Sequence, residues 1–416
     1  MGLRIIHTAD WHLGHSLHGL PRDYEHECFL SWLLDALEER QADVLLVAGD
    51  LFDSANPPAS AQAMLYRFVV EAGRRLSGLQ MVMIAGNHDS AARLEAPSPI
   101  LQALKVHVTG KPARRADGSL DLERLLVPLE NRDGQVAAWC AAIPFLRPAD
   151  LRVEPREDED PLIAGVERLY REVFDEAERR RDPAQALVAM GHCYMTGTRL
   201  SELSERKVLG GNQHALPAAL FPEQVAYVAL GHLHLAQPVG GHEHIRYSGS
   251  PIPLALDERR YPHQVIQLDL DGEDLVARES LRVPRFVDVL RFPDTGAEDV
   301  EEVEAALAAY PFDPDLPRER HPYLELVVRL ERPNPDLRRR MEVALEGKPA
   351  RLLKLSSEYP GAVAGLHSAV PDKRLDELQP DGVFRERYGQ QFEGEPPESL
   401  MAAFHELTEQ VQGKEV

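Results

Sequence analysis

Six short apolar runs occupy the first 230 residues of the chain: Leu3–Thr8, Val44–Ala48, Met81–Ala85, Val136–Ile143, Ala186–Met190 and Val225–Leu230. Each has the length and composition of a buried strand. Five of the six stop at a polar block: Asp10-Trp11-His12, Gly49-Asp50, Gly86-Asn87-His88-Asp89, Gly191-His192 and Gly231-His232-Leu233-His234. A glycine leads most of these blocks and is expected to permit the turn. Amphipathic stretches lie between the runs. Glu25–Arg40 carries Phe29, Leu30, Leu33, Leu34 and Leu37 on one stripe, and Pro57 and Pro58 open a second helix at Pro58–Leu76. Strands alternating with helices predict a layered α/β fold, in which ligands gather at the carboxyl ends of strands. The five blocks fall at those ends.

The residue types in the blocks suit two divalent cations. A two-metal phosphoesterase holds its ions about 3.5–4 Å apart, activates a water and clamps phosphate oxygens. It needs one carboxylate that bridges and neutral N and O ligands that complete each shell. Asp10 and His12 are two apart, so both can leave an extended strand end on the same side. Asp50 is the natural bridge, Asn87 offers a carbonyl oxygen, and His192, His232 and His234 supply imidazoles. His88 remains beyond the ligand set. Mixed Asp, Asn and His ligation suits manganese, iron or zinc better than magnesium.

Taken singly, each block has a plainer explanation. A lone histidine is more often a satisfied structural residue, a Gly-Asp pair is usually only a turn, and Asn-His-Asp can cap a helix. Five such blocks at successive strand ends are not explained as unrelated loop residues. The other histidines, His7, His15 and His26 among them, lack that placement and take the structural reading.

With 416 residues the chain predicts two or three domains. The run from Tyr247 to Leu270 reads as strand and closes a first domain over residues 1–280. A small α/β unit follows over 281–370: strand Phe286–Leu290, helix Val300–Ala309, strand Tyr323–Leu330, helix Pro335–Leu345 and strand Arg351–Ser356. Residues 371–416 read as a linker and a C-terminal helix, Pro397–Gln412. Its stripe of Leu400, Met401, Phe404, Leu407 and Val411 either packs on the body or docks on a partner. The tract Glu154–Asp160 reads as a solvated acidic loop.

No run of about 18 or more apolar residues is present, so no membrane span is expected. Leu3-Arg4-Ile5-Ile6 reads as a core strand and not as a signal peptide. Cys28, Cys140 and Cys193 are scattered and form no C-x-x-C pair, which suits a reduced, cytoplasmic protein. The net charge of −22 argues against a surface that neutralises nucleic acid by itself. Bound cations reverse the sign of a carboxylate cluster, and a partner can supply basic surface.

These blocks resemble the pattern of the calcineurin-like metallophosphoesterases: D-x-H, G-D, G-N-H-[DE], G-H and G-H-x-H, all present here in order. The opening His7-Thr8-Ala9-Asp10-Trp11-His12-Leu13-Gly14, the run Gly49-Asp50-Leu51-Phe52-Asp53, and Tyr247-Ser248-Gly249-Ser250-Pro251 are more specific. They resemble the nuclease subunits of bacterial SbcCD complexes, the SbcD family. The resemblance implies a helix-flanked β-sandwich with a small capping domain and a helical tail. It implies that Asp10, His12, Asp50 and His234 hold one metal, and that Asp50, Asn87, His192 and His232 hold the other. His88 would protonate the leaving oxygen, a role that suits histidine, and Asp89 would orient His88. The family further implies manganese, 3′-to-5′ exonuclease action on double strands, and endonuclease action on single strands and hairpins. It implies a homodimer bound to an SbcC-type coiled-coil ATPase, in replication, repair and recombination of DNA. One position departs: Asp53 stands where some relatives carry histidine, and a carboxylate cannot donate to a phosphate.

Two other readings compete. A small-molecule phosphodiesterase would share the metal chemistry, but the extra domain and tail exceed its needs. A structural adaptor whose metals only hold the fold would need no spare acid such as His88.

Overall fold

The computed structural model describes residues 2–151, 160–199, 215–332 and 334–359. The chain divides into two compact units, residues 1–328 with 335–356, and residues 329–334 with 357–416. In the second unit the Leu330 amide donates to the Glu358 carbonyl at 2.8 Å.

Two six-stranded sheets form the body of the first unit. One orders its strands Asp274–Arg282, Gln264–Asp271, Gly2–Thr8, Val44–Ala48, Gln80–Ile84, Val106–Thr109. The other runs Gln237–Val239, His242–Tyr247, Val225–Gly231, Ala186–His192, Val136–Ala142, Leu126–Glu130. In each, four parallel strands form a continuous block and antiparallel strands lie outside it. Alternation along the strands builds three apolar layers. Ile5, Leu46 and Ile84 face Cys140, Val188 and Ala229 of the other sheet. Ile6, Val47 and Met83 point the opposite way, onto helices Asp23–Glu39 and Ala59–Arg75. The second sheet turns Ala141, Ala189 and Val228 outward onto Leu169, Tyr170 and Val173 of helix Pro161–Arg180. Burial on both faces explains why the central strands read as unbroken apolar runs.

The register keeps the carboxyl ends of neighbouring strands close to level. Thr8 pairs with Val47 and Ala48 with Ile84 in one sheet, and His192 pairs with Gly231 in the other. All five polar blocks therefore emerge on one edge of the sandwich.

Several expectations shift. The strand before Gly249 ends at Tyr247. Gly249 then turns at φ 78°, and Leu256–Arg260 is a 3₁₀ turn, so the stretch to Leu270 is not strand throughout. The strand expected at Phe286–Leu290 forms at Val289–Phe292, in a three-stranded sheet with Tyr323–Arg329 and Arg351–Glu358. Helices Val300–Ala309 and Leu337–Ala344 accompany that sheet. The linker and tail helix, and all of the acidic tract except Asp160, lie outside the described residues. Among the described residues no helix is long and apolar enough to cross a membrane.

Candidate metal centre

Strand ends of the first sheet bring Asp10, His12, Asp50 and Asn87 together, and those of the second bring His192, His232 and His234. Ligand atoms of Asp10, His12 and His234 lie within 4.8 Å of one another, as do those of Asp10, Asp50 and His192. Asn87 Oδ1 sits 3.0 Å from both His192 Nε2 and His232 Nδ1. Asp50 Oδ2 stands between the two groups, 3.2 Å from His192 Nε2 and 3.6 Å from His12 Nε2. The residues expected on each of two cations are thus gathered into two adjoining clusters.

The backbone reaches this arrangement through left-handed turns. Asp10, His12, Asp50 and His232 have φ of 54°, 46°, 48° and 104°. Asp10 and His12 therefore share a side through a curl in the chain, and not through the extended geometry their spacing suggests. Non-glycine residues in this region store strain, which surrounding bonds must hold. Here the Asp10 amide donates to the Gly49 carbonyl and the His12 amide to the Asp50 carbonyl, both at 3.0 Å. The His232 amide donates to Asp10 Oδ1 at 2.9 Å. The turn role expected of the glycines holds at Gly49, whose φ is 90°. Gly86 and Gly231 serve close approach instead: a Cβ there would lie 2.1 Å from Asp50 Oδ1 and 1.9 Å from the Ala48 carbonyl oxygen, respectively.

Three imidazoles are oriented by their far nitrogen. His192 Nδ1 donates to the Ala48 carbonyl at 2.8 Å, His234 Nδ1 to Glu258 Oε1 at 2.8 Å, and His12 Nδ1 to Asp53 Oδ1 at 3.3 Å. Each bond leaves Nε2 to face the centre, as in metal-bound histidines. Glu258 is fully buried and escapes sequence reasoning, since it sits in an acidic and basic run with no spacing signal. Asp53 acts as a buttress: its Oδ1 also accepts from His15 Nδ1 at 2.9 Å. His15, given a structural role from sequence, has that role next to the site.

His88 is half-buried, and its Nδ1 donates to the Asp53 carbonyl at 2.8 Å, which leaves Nε2 available. Its ring lies 4.8 Å from that of His12. Asp89 does not orient it. The Asp89 carboxylate instead accepts from the amides of Gly86, Leu51 and Phe52 at 2.9, 3.1 and 3.0 Å, and so pins the loop that carries Asp50. Facing inward, Asp89 directs its carboxylate to backbone donors and not to His88.

Burial drives the electrostatics. It pushes the Asp10 carboxyl up to about 6 and pulls His12 down to about 4 and His232 down to about 3. Burial also opposes charge on His192, but the Asp50 carboxylate beside it wins and raises the imidazole to about 9. The neighbouring imidazoles overcome burial at Asp50 as well and hold it well below the usual carboxylate range. His12 Nε2 is buried without a hydrogen-bond partner, a cost that a metal bond would remove. Two carboxylates, an amide oxygen and four imidazoles on this edge form a donor set that fits divalent cations.

Comparisons with known proteins identify the family. Residues 3–236 match the calcineurin-like phosphoesterase family, and residues 285–392 match the family described as type 5 capsule protein repressor C-terminal domain. The chain is 40% identical to the SbcD protein of the nuclease SbcCD of Rhodobacter capsulatus over 385 residues, which is 92% of this chain and 93% of that one. It is 32% identical to the Escherichia coli K12 protein of the same name over 393 residues, 92% of each chain. With the Bacillus subtilis protein of that name it shares 32% identity over 284 residues, 67% of this chain and 69% of that one. The chain belongs to the calcineurin-like phosphoesterases, a family of metal-dependent enzymes, and within them to the SbcD group of SbcCD nuclease proteins.

Proposed function

We propose that this chain is the nuclease subunit of an SbcCD-type complex. It degrades double-stranded DNA 3′ to 5′ and cuts hairpins and single strands, in DNA end processing, repair and recombination in the cytoplasm. The observation that carries this reading is the His88 imidazole, tied through Nδ1 to the Asp53 carbonyl and within 4.8 Å of ligand atoms of His12 and Asp50, beside the other buried ligands. Relatives named as SbcCD nuclease proteins over nearly the whole chain support the choice of DNA as substrate.

Asp10, His12, Asp50 and His234 would hold one cation, and Asp50, Asn87, His192 and His232 the other. Manganese is one of the metals this mixed set suits, and it is the one the family resemblance implies. When bound, the cations supply an activated water and neutralise phosphate oxygens. The chain's residues do the rest. Glu258, Asp53 and the Ala48 carbonyl fix the imidazoles, Asp89 fixes the Asp50 loop, and His88 Nε2 delivers a proton to the leaving oxygen. Residues 1–280 form the nuclease domain, 281–370 cap the DNA, and 371–416 bind the ATPase partner. Two copies join two ATPase subunits, whose basic surface compensates for the net charge of −22.

The test is cleavage of an end-labelled DNA hairpin with manganese, with magnesium and with chelator, alongside His88→Ala. Manganese-dependent cutting that His88→Ala loses, with metal still bound, is the expected result. Intact DNA in tubes that hydrolyse bis-p-nitrophenyl phosphate, with the ATPase partner present, would instead favour a small-molecule phosphodiesterase.

A further inference from the structure

His15 lies just past His12 and outside the expected ligand set. It is half-buried, and its amide donates to the His12 carbonyl at 2.9 Å. Both of its ring nitrogens are engaged. Nδ1 lies 2.9 Å from Asp53 Oδ1, and Nε2 lies 3.0 Å from the Leu254 carbonyl oxygen. An ionised carboxylate and a carbonyl only accept, so the ring donates from both nitrogens. Leu254 belongs to the segment that leads from strand His242–Tyr247 of the second sheet to strand Gln264–Asp271 of the first.

The two acceptors belong to the supports of two different imidazoles. Asp53 Oδ1 also accepts from His12 Nδ1 at 3.3 Å. The Leu254 amide donates to Glu258 Oε2 at 2.7 Å, and Glu258 Oε1 accepts from His234 Nδ1 at 2.8 Å. His12 and His234 are the two imidazoles expected on one cation. Their ring centroids are 5.2 Å apart, and they come from different sheets. The imidazoles expected on the other cation are held differently: His192 Nδ1 donates to the Ala48 carbonyl, and His232 Nδ1 faces Asn87 Oδ1. We infer that His15 is a positioning residue that fastens the support of His12 to the support of His234, and so governs binding of the cation those two would share. The inference rests on the two-cation reading of the centre. Imidazoles bind a cation well when the groups behind them are themselves fixed. Here the two imidazoles stand on opposite sides of a seam, and His15 is the side chain that joins their supports. Without it, Asp53 and Leu254 each lose a donor, and each support is held from its own side alone.

The experiment is a calorimetric titration of manganese into the full chain and into His15→Phe, His15→Asn and His15→Gln. His15→Phe keeps a ring and removes both donors. One of two manganese ions should bind it about 10- to 100-fold more weakly, the usual cost of losing a partner behind a ligating histidine. The other ion should keep its affinity. The amide of His15→Asn falls near the place of Nδ1 and serves Asp53; that of His15→Gln falls near Nε2 and serves Leu254. Each should recover part of the loss. Unfolding free energy, measured on all four proteins in chelator, separates this from a purely structural role. Equal weakening of both ions would overturn the inference, as would a loss that follows unfolding free energy regardless of the donor kept. Two unchanged affinities would overturn it as well. If His15→Phe does not fold, the other two variants decide: one weakened ion supports the inference, and two or none overturn it. An unaltered chain that binds no manganese would remove the two-cation reading and the inference together.

Discussion

Glu258 accepts the Nδ1 proton of His234 at 2.8 Å and, through its other oxygen, the Leu254 amide at 2.7 Å. One buried carboxylate thus aims an imidazole and tethers the loop beside it. The adjoining Pro253 carbonyl accepts from Arg22 Nη1 at 2.8 Å. Arg22 pairs with Glu25, and Glu25 Oε2 accepts from the Tyr323 hydroxyl at 3.1 Å. Bonds run without a break from His234 to the three-stranded sheet.

Glu258→Gln should weaken manganese binding by about 10- to 100-fold, the usual effect of losing the group behind a ligating histidine. A manganese titration of the two proteins checks this. Equal affinities would mean that His234 does not depend on Glu258 for its orientation.

Tyr323→Phe removes one partner of a buried carboxylate and leaves the ring in place between Arg22 and Arg351, whose guanidinium carbons lie 5.0 and 4.1 Å from its centroid. The loss should be about 1–3 kcal/mol of unfolding free energy, read from urea denaturation. A change near zero would show that Arg22 alone satisfies Glu25.

Gly86→Ala places a carbon 2.1 Å from Asp50 Oδ1 and 2.4 Å from the Asp50 amide nitrogen. Asp50 must move, and a displacement of about 1 Å at such a site costs about a hundredfold in rate. Hydrolysis of a chromogenic diester by a variant shown to be folded by circular dichroism is the measurement. Activity within a fewfold of the original would contradict the close approach.

His7 is buried, its Nδ1 is 3.0 Å from the Tyr227 hydroxyl, and burial lowers its pKa from 6.5 to about 3. The unfolded chain therefore takes up this proton first as pH falls. Stability from this group is intact above about pH 6.5 and is lost progressively toward pH 3. His7→Asn should flatten the loss of unfolding free energy by about 1.4 kcal/mol for each pH unit below 6.5. Parallel denaturation curves of the two proteins at pH 7 and pH 5 decide it; identical pH dependence would refute the assignment.

The metal blocks are legible in sequence because the chemistry demands particular residue types where apolar runs stop. The central strands are legible because they are buried on both faces. Other features leave no such trace. Strand Asp274–Arg282 is exposed along most of its length, so it lacks an apolar pattern. Strand Leu126–Glu130 lies at a sheet edge, where Pro128 is tolerated but interrupts the reading. Helix Pro161–Arg180 is not among the helices expected from sequence, although Asp160, which caps it by accepting from Leu162 N at 2.9 Å, and Pro161 mark its start. Glu258 meets His234 only through the fold, from a 3₁₀ turn 24 residues away. The left-handed turns at Asp10, His12 and Asp50 are likewise set by bonds between strands, which no local pattern encodes.

Each sheet contributes only part of the ligand set: Asp10, His12, Asp50 and Asn87 come from one, and His192, His232 and His234 from the other. Cations held here would tie together a seam that is otherwise closed by apolar contact and by hydrogen bonds such as His232 N to Asp10 Oδ1. The two faces of the sandwich could not slide past one another without breaking those ties. Motion of one sheet against the other would therefore pull the ligand set apart and disarm the centre.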